Sequence, residues 1–252
     1  MHYGFTLSRH IMNSNNAQQV REQLYRLRKP EKAAFFPRFF KTGPGQYGEG
    51  DQFIGVVVPD IRKVSKAFRT LSEKETLTLL SSPIHEERMA ALFIMIEQFQ
   101  RGTAAEKKRL HQLYLRQSRY VNNWDLVDLS ARVLIGEYLA ADDISLLRRL
   151  AKSSNLWEQR MAILATFTFI LQGNSEPTLE VAEMLVNHPH DLIQKAVGWL
   201  LREVGKRNSL KVEKAFLDKH AKQMPRTMLR YAIERFPETD KKHYMQLKFT
   251  SN

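Results

Sequence analysis

Three short stretches of this 252-residue chain place an indole within one helical turn of a charged side chain. In NNWDLVD, Trp124 and Asp128 are four apart and share a helical face, while Asp125 and Asp128 are three apart and close together. In NLWEQRMAIL, Trp157 and Arg160 are three apart. In QKAVGWLLRE, Lys195 precedes Trp199 by four and Arg202 follows it by three. All three tryptophans of the chain are used in this way. Indole faces beside Arg or Lys suit a base or sugar whose phosphates are clamped by the cations. A carboxylate in such a cleft works against a polyanion, so Asp128 points to positive charge developing on the ligand. That condition is met when a cationic alkylated base leaves and its deoxyribose becomes oxocarbenium-like. Asp125 has the plainer alternative of a first-turn carboxylate facing the helix dipole, and Trp157 that of a core residue.

The elements that must position these residues read as helices throughout. With 43% hydrophobic and 26% charged residues the chain belongs with folded proteins. Its longest apolar run, MAILATFTFIL, is too short for a membrane span. The start, MHYGFTLSRHIMNSNN, lacks the layout of a secretory or organelle presequence, and cysteine is absent, so a cytoplasmic protein is expected. The eight histidines show no paired metal-helix spacing, and His85, His188 and His190 read as loop or cap residues, so no metal is expected.

The net charge of +12 is uneven. Residues 1–50 carry eight Lys/Arg against three acids, residues 191–252 fourteen against seven, and residues 51–190 seventeen of each. Both ends helping to embrace a polyanion would give this pattern, as would a basic solvated surface.

Periodicity predicts helices at Ala17–Arg28, Glu31–Phe40, Pro59–Thr70, Glu73–Leu80, His85–Gln100, Ala104–Gln117, Val121–Ala140, Ser145–Ala151, Leu156–Leu171, Leu179–Val186, Leu192–Lys206, Leu210–Ala221 and Arg226–Phe236. The nearest strand candidate is FIGVVV, before Pro59. KTGPGQYGEGD reads as a loop without the features of a phosphate-binding P-loop. ERMAALFIM, QRMAILATF, QKAVGWLLR and LRYAIERFP each set a basic residue (Arg88, Arg160, Lys195, Arg230) before a small-apolar stripe, at spacings near 35 or twice that. Such a period indicates a HEAT-like solenoid, with the recurring cation lining one surface; a helical bundle is the alternative. The expectation is one all-α domain over 1–252, a curved right-handed superhelical array with a basic concave face. Within it, 41–58 is a glycine-rich insertion and 59–236 hold the repeat helices.

FIGVVVPDIRKV, NNWDLVD, LWEQRMAIL and IQKAVGWLLRE, in this order over roughly residues 15–235, resemble the HEAT-like family of bacterial DNA alkylation repair glycosylases, the AlkD alkylpurine glycosylases. The resemblance implies a curved helical array holding duplex DNA in a basic concave cleft. It also implies monofunctional, cofactor-free and metal-free hydrolysis of the N-glycosidic bond of cationic lesions such as 3-methyladenine and 7-methylguanine. Matched by motif, Asp128 is the catalytic carboxylate, Trp124 and Trp199 are the indoles about the lesioned nucleotide, and Arg160 holds the adjacent backbone. The family leaves the damaged base stacked, so no snug pocket is required. Where the family has an N-terminal tyrosine on the DNA, the most natural match is Phe39, with Tyr47 in the inserted loop as a substitute. Lys41, Lys195 and Arg202 complete the expected DNA contacts, the last two as secondary phosphate ligands or solvated side chains. The expected partner is damaged duplex DNA, bound by a monomer without an obligate protein partner. The alternatives are a non-catalytic lesion-binding module and a HEAT-like protein scaffold.

Overall fold

A computed structural model describes residues 15–139 and 143–247. The N-terminal stretch read above for targeting and the expected helix end at Ala140 lie outside them. The described residues form fifteen α-helices and no strand. They are α1 (Ala17–Arg26), α2 (Pro30–Phe39), α3 (Val58–Ala67), α4 (Glu73–Leu80), α5 (His85–Arg101), α6 (Ala104–Arg116), α7 (Trp124–Ala131) and α8 (Ser145–Ala151). Then come α9 (Leu156–Ala165), α10 (Phe167–Leu171), α11 (Glu176–Met184), α12 (Asp191–Arg207), α13 (Leu210–His220), α14 (Arg226–Ala232) and α15 (Glu238–Gln246).

The helices stack in two rows. In one row α3 packs on α5, α5 on α7, α7 on α9, α9 on α12 and α12 on α14. The other row backs it: α4 and α6 lie on α5, α8 on α9, α11 and α13 on α12, and α15 on α14. Each helix therefore buries its apolar stripe against its neighbours in the stack. α5 is the most enclosed, buried from His85 through Ile96. Its first-turn charges are enclosed with it, and each has a partner: Glu87 accepts from Arg21 Nε at 2.9 Å, and Arg88 donates to Asp51 at 2.6 Å.

Glu86 explains why FIGVVV looks like a strand and is not one. Its carboxylate accepts the backbone N–H groups of Ile54, Gly55 and Val56 at 2.8–3.2 Å, so the segment's amides are satisfied by a side chain rather than a ladder. Gly55 sits at φ 84°, and a Cβ there would meet the Lys29 carbonyl at 2.1 Å.

Two expected helices are divided. The chain turns through a 3₁₀ segment, Ser118–Tyr120, before α7 begins at Trp124, capped by Asn123. It then widens into a π-helical segment, Arg132–Gly136, where the Thr168 hydroxyl donates to the Arg132 carbonyl at 3.0 Å. Gly136 permits that approach, since a Cβ would meet the Ala165 carbonyl at 2.3 Å. The expected Leu156–Leu171 helix breaks at Thr166, whose hydroxyl donates to the Ile163 carbonyl. α15 was not among the expected helices.

The recurring basic position does not line a single solvent surface. Arg88 and Arg160 turn inward, 4% and 5% exposed, because carboxylates on neighbouring segments receive them; Arg230 is exposed.

Candidate functional site

α7 starts where three elements meet. Asn123 is fully buried; its side-chain oxygen accepts the Trp124 N–H at 2.8 Å and its amide donates to Asp51 at 3.1 Å. This ties the start of α7 to the end of the glycine-rich loop. One turn in, the Asp128 carboxylate accepts two hydrogen bonds from Arg160, from Nε and Nη2, both at 2.7 Å. The third guanidinium nitrogen of Arg160 donates to the Leu192 carbonyl at the start of α12. Burial pushes the Asp128 carboxyl up from its ordinary pKa, opposed by the guanidinium. Its side chain keeps 18% exposure against 6% for that of Arg160. Arg160 therefore holds the carboxylate, and its expected grip on phosphate does not fit a buried side chain whose donors already have partners.

Trp124 and Asp128 line one cleft of about 490 Å³, with Phe36, Phe39, Phe40, Phe53, Val56, Met89 and Leu129 among its walls. Phe40 stacks on Trp124 at 5.5 Å, and Phe39, 49% exposed, meets the indole edge-on at 5.8 Å. Behind these rings lies His85, with Phe40 and Phe53 each at 4.9 Å. His85 Nδ1 bonds Asp51 at 3.0 Å, and its Nε2 bonds Asp125 at 2.9 Å. Burial works to lower the imidazole pKa, but the two carboxylates overcome it and hold it at about 9, so His85 is an imidazolium at neutral pH.

Tyr47 reaches the same place from the glycine-rich loop. Its ring meets Trp157 edge-on at 5.9 Å and His190 at 6.4 Å, and Lys41 lies 6.0 Å from its centroid. Burial and Asp191 raise its pKa, opposed by a hydrogen bond with the Trp124 side chain. Trp157 itself is a core residue, 9% exposed. Trp199 lies outside the cleft, its ring against Phe167 at 5.9 Å. Lys195 and Arg202 share a half-buried face of α12 with Trp199, but both are engaged: Lys195 bonds Asp191 at 2.8 Å, and Arg202 pairs with Glu234.

Comparison with known proteins decides the family. The model of the DNA alkylation repair enzyme family matches residues 20–236. The chain belongs to the DNA alkylation repair enzyme family. A solved structure described as a predicted DNA alkylation repair enzyme from Enterococcus faecalis shares the fold at TM-score 0.63 and 17% identity, covering 84% of this chain and 97% of that one. A search of curated proteins returns no match.

Within this alkylation repair chain the motif residues do not all gather. Trp124, Asp128 and Arg160 form one group, joined by Phe39 and, through Trp124, by Tyr47. Sequence reasoning missed the Asp51–His85–Asp125 bridge. His85 looked like a loop residue because its partners lie 34 and 40 positions away, and nothing local announces them. Asp125 does have its first-turn role, accepting the Leu126 N–H at 2.8 Å, but its other oxygen holds His85.

Proposed function

We propose that this member of the family is a monofunctional DNA glycosylase that hydrolyses the N-glycosidic bond of cationic alkylated purines, 3-methyladenine and 7-methylguanine, in duplex DNA. The observation that carries the proposal is Asp128, a part-exposed carboxylate fixed at the mouth of an aromatic cleft in a basic protein. The base is already cationic, so it leaves as a neutral purine with both electrons of the C1′–N bond and needs no acid. Water adds to C1′ on the face held by Asp128 and gives up its proton to solvent. Asp128 stabilises the sugar cation between these events, and Arg160 keeps the carboxylate in place.

Trp124 and Phe39 border the lesion nucleotide through their ring faces and edges. Tyr47 and Lys41 approach the backbone from the glycine-rich loop, and Trp199 extends the contact along α12. Asp191 and Glu234 hold Lys195 and Arg202, so these two contribute phosphate contacts only by exchanging those partners. The excess of cations suits action on a polyanion such as DNA.

One observation favours a second reading, a non-catalytic lesion-binding module: Arg160 compensates the charge of Asp128 and lessens its attraction for a cation. Release of 7-methylguanine from methylated duplex DNA separates the two. Base release by the wild-type chain supports the glycosylase. Lesion-selective binding without any release supports the module.

A further inference from the structure

A second groove of about 490 Å³ opens between α3, α5 and the start of the π-helical segment. Pro59 and Leu129 wall both this groove and the aromatic cleft, so the two are neighbours. Its sides carry Arg62, Lys63, Lys66 and Arg132 and one carboxylate, Glu97, which pairs with Arg101, over a floor of Phe93 and Ile96. Arg132 follows Asp128 by four residues, about one turn along the same face.

Three of the four cations are presented to solvent and the fourth, Arg132, is half-buried. Arg62, Lys63 and Lys66 are exposed, and none of them forms an ion pair among the described residues. The Arg62 guanidinium lies 4.0 Å from the centre of the Phe93 ring, an arrangement that fixes its plane and leaves its N–H edges free. Burial and the nearby Glu97 act on it in opposite senses, burial the stronger. Arg132 is paired with Glu137 at 2.7 Å, at the solvent edge. Residues 51–190 balance in charge when counted along the chain, yet folding collects four of their cations in this groove beside Asp128.

We propose that this groove takes the phosphodiester backbone of the duplex flanking the lesion, through Arg62, Lys63, Lys66 and Arg132. The proposal rests on the DNA substrate inferred above. It sets the main phosphate contact on α3 and the segment after α7, since Lys195 and Arg202 are engaged by Asp191 and Glu234. Backbone held there fixes the position of the duplex over the carboxylate one turn away, and carries no base preference.

The test is the salt dependence of binding to a labelled duplex, for wild type, the groove triple variant Arg62→Gln/Lys63→Gln/Lys66→Gln, and a triple variant on the other row, Lys74→Gln/Lys108→Gln/Lys211→Gln. Both triples remove three charges. The groove variant should lower the slope of log K against log salt by about 3, while the other keeps the wild-type slope. Equal slopes in wild type and groove variant overturn the groove alone, as does an equal loss in both triples, which would mean net charge is all that matters. A wild type with no salt-dependent duplex affinity overturns both the groove and the DNA substrate. Should the groove triple lose its helical circular dichroism, Lys63→Glu on an exposed side chain decides instead. It should weaken binding about ten-fold or more at moderate salt, and unchanged affinity overturns the proposal.

Discussion

Arg160 of α9 and Asp128 of α7 are joined by two parallel hydrogen bonds of 2.7 Å, and the same guanidinium reaches the Leu192 carbonyl at the start of α12. One side chain thus links three successive helices of the stack at the point where the carboxylate must be aimed. A bidentate fork is what Arg supplies and Lys cannot.

Arg160→Lys should therefore lower the single-turnover rate of base release at least about ten-fold, because one flexible ammonium no longer orients both oxygens. Arg160→Ala should also cost about 3 kcal/mol of stability by stranding the carboxylate. Neither change should flatten the salt dependence of duplex binding, as a phosphate-gripping arginine would. A slope lower by about 1 in Arg160→Ala would return that role to it.

His85 gives the protein an alkaline limit. Its folded pKa of about 9 lies above the ordinary 6.5, so its contribution to stability is fully present below about pH 6.5 and is lost as pH rises through 9. The groups facing it are Asp51, Asp125 and, more distantly, Arg88, with the mutually stacked rings of Phe40 and Phe53 each 4.9 Å from its own. Denaturant midpoints at pH 6, 8 and 10 should fall across both intervals in the wild type and much less in His85→Gln, with little further loss above pH 10. Identical profiles would show that the imidazolium does not carry this stability.

Glu213 works in the opposite chemical sense. Burial raises its carboxyl to about 8, one of its oxygens is buried without a partner, and a Cβ on Gly205 would stand 1.7 Å from the other. The raised value means stability is lost as pH climbs from about 4.5 to 8, as the enclosed group is forced to ionise. Glu213→Gln should be more stable than wild type above pH 8 by thermal denaturation. Gly205→Ala should be less stable at every pH, since its methyl displaces the carboxyl.

Phe39 stands half exposed at the rim of the cleft, edge-on to Trp124. Phe39→Ala should weaken binding of lesion-bearing duplex by about 1–3 kcal/mol while leaving the salt slope intact, the signature of a lost stacking contact. A change in slope without loss at low salt would assign Phe39 a role in placing the loop cations.

The helical stack was legible in the sequence because its signals are local: apolar stripes at helical spacing and a repeated basic-small-apolar pattern. The pairing of Trp124 with Asp128 on one face followed from the same periodicity. What the sequence hid depends on segments far apart meeting. Arg88 and Arg160 read as a basic surface, yet fold inward onto Asp51 and Asp128. FIGVVV carried strand-like residues whose amides end on Glu86, about thirty positions later. The π-helical widening after α7 arises from Gly136 and Thr168 meeting across helices, which no window along the chain contains. The glycine-rich loop gave no hint that it would set Tyr47 beside Trp124 and Trp157.

The central claim is that Asp128 stabilises a sugar cation during base loss. Single-turnover release of 7-methylguanine from methylated duplex, compared for wild type and Asp128→Asn, tests it most directly. The account predicts release by the wild type and a rate lower by about 100-fold or more in the variant, with duplex affinity kept or improved by the lost negative charge. Equal rates in the two proteins, or no release by either, would contradict it.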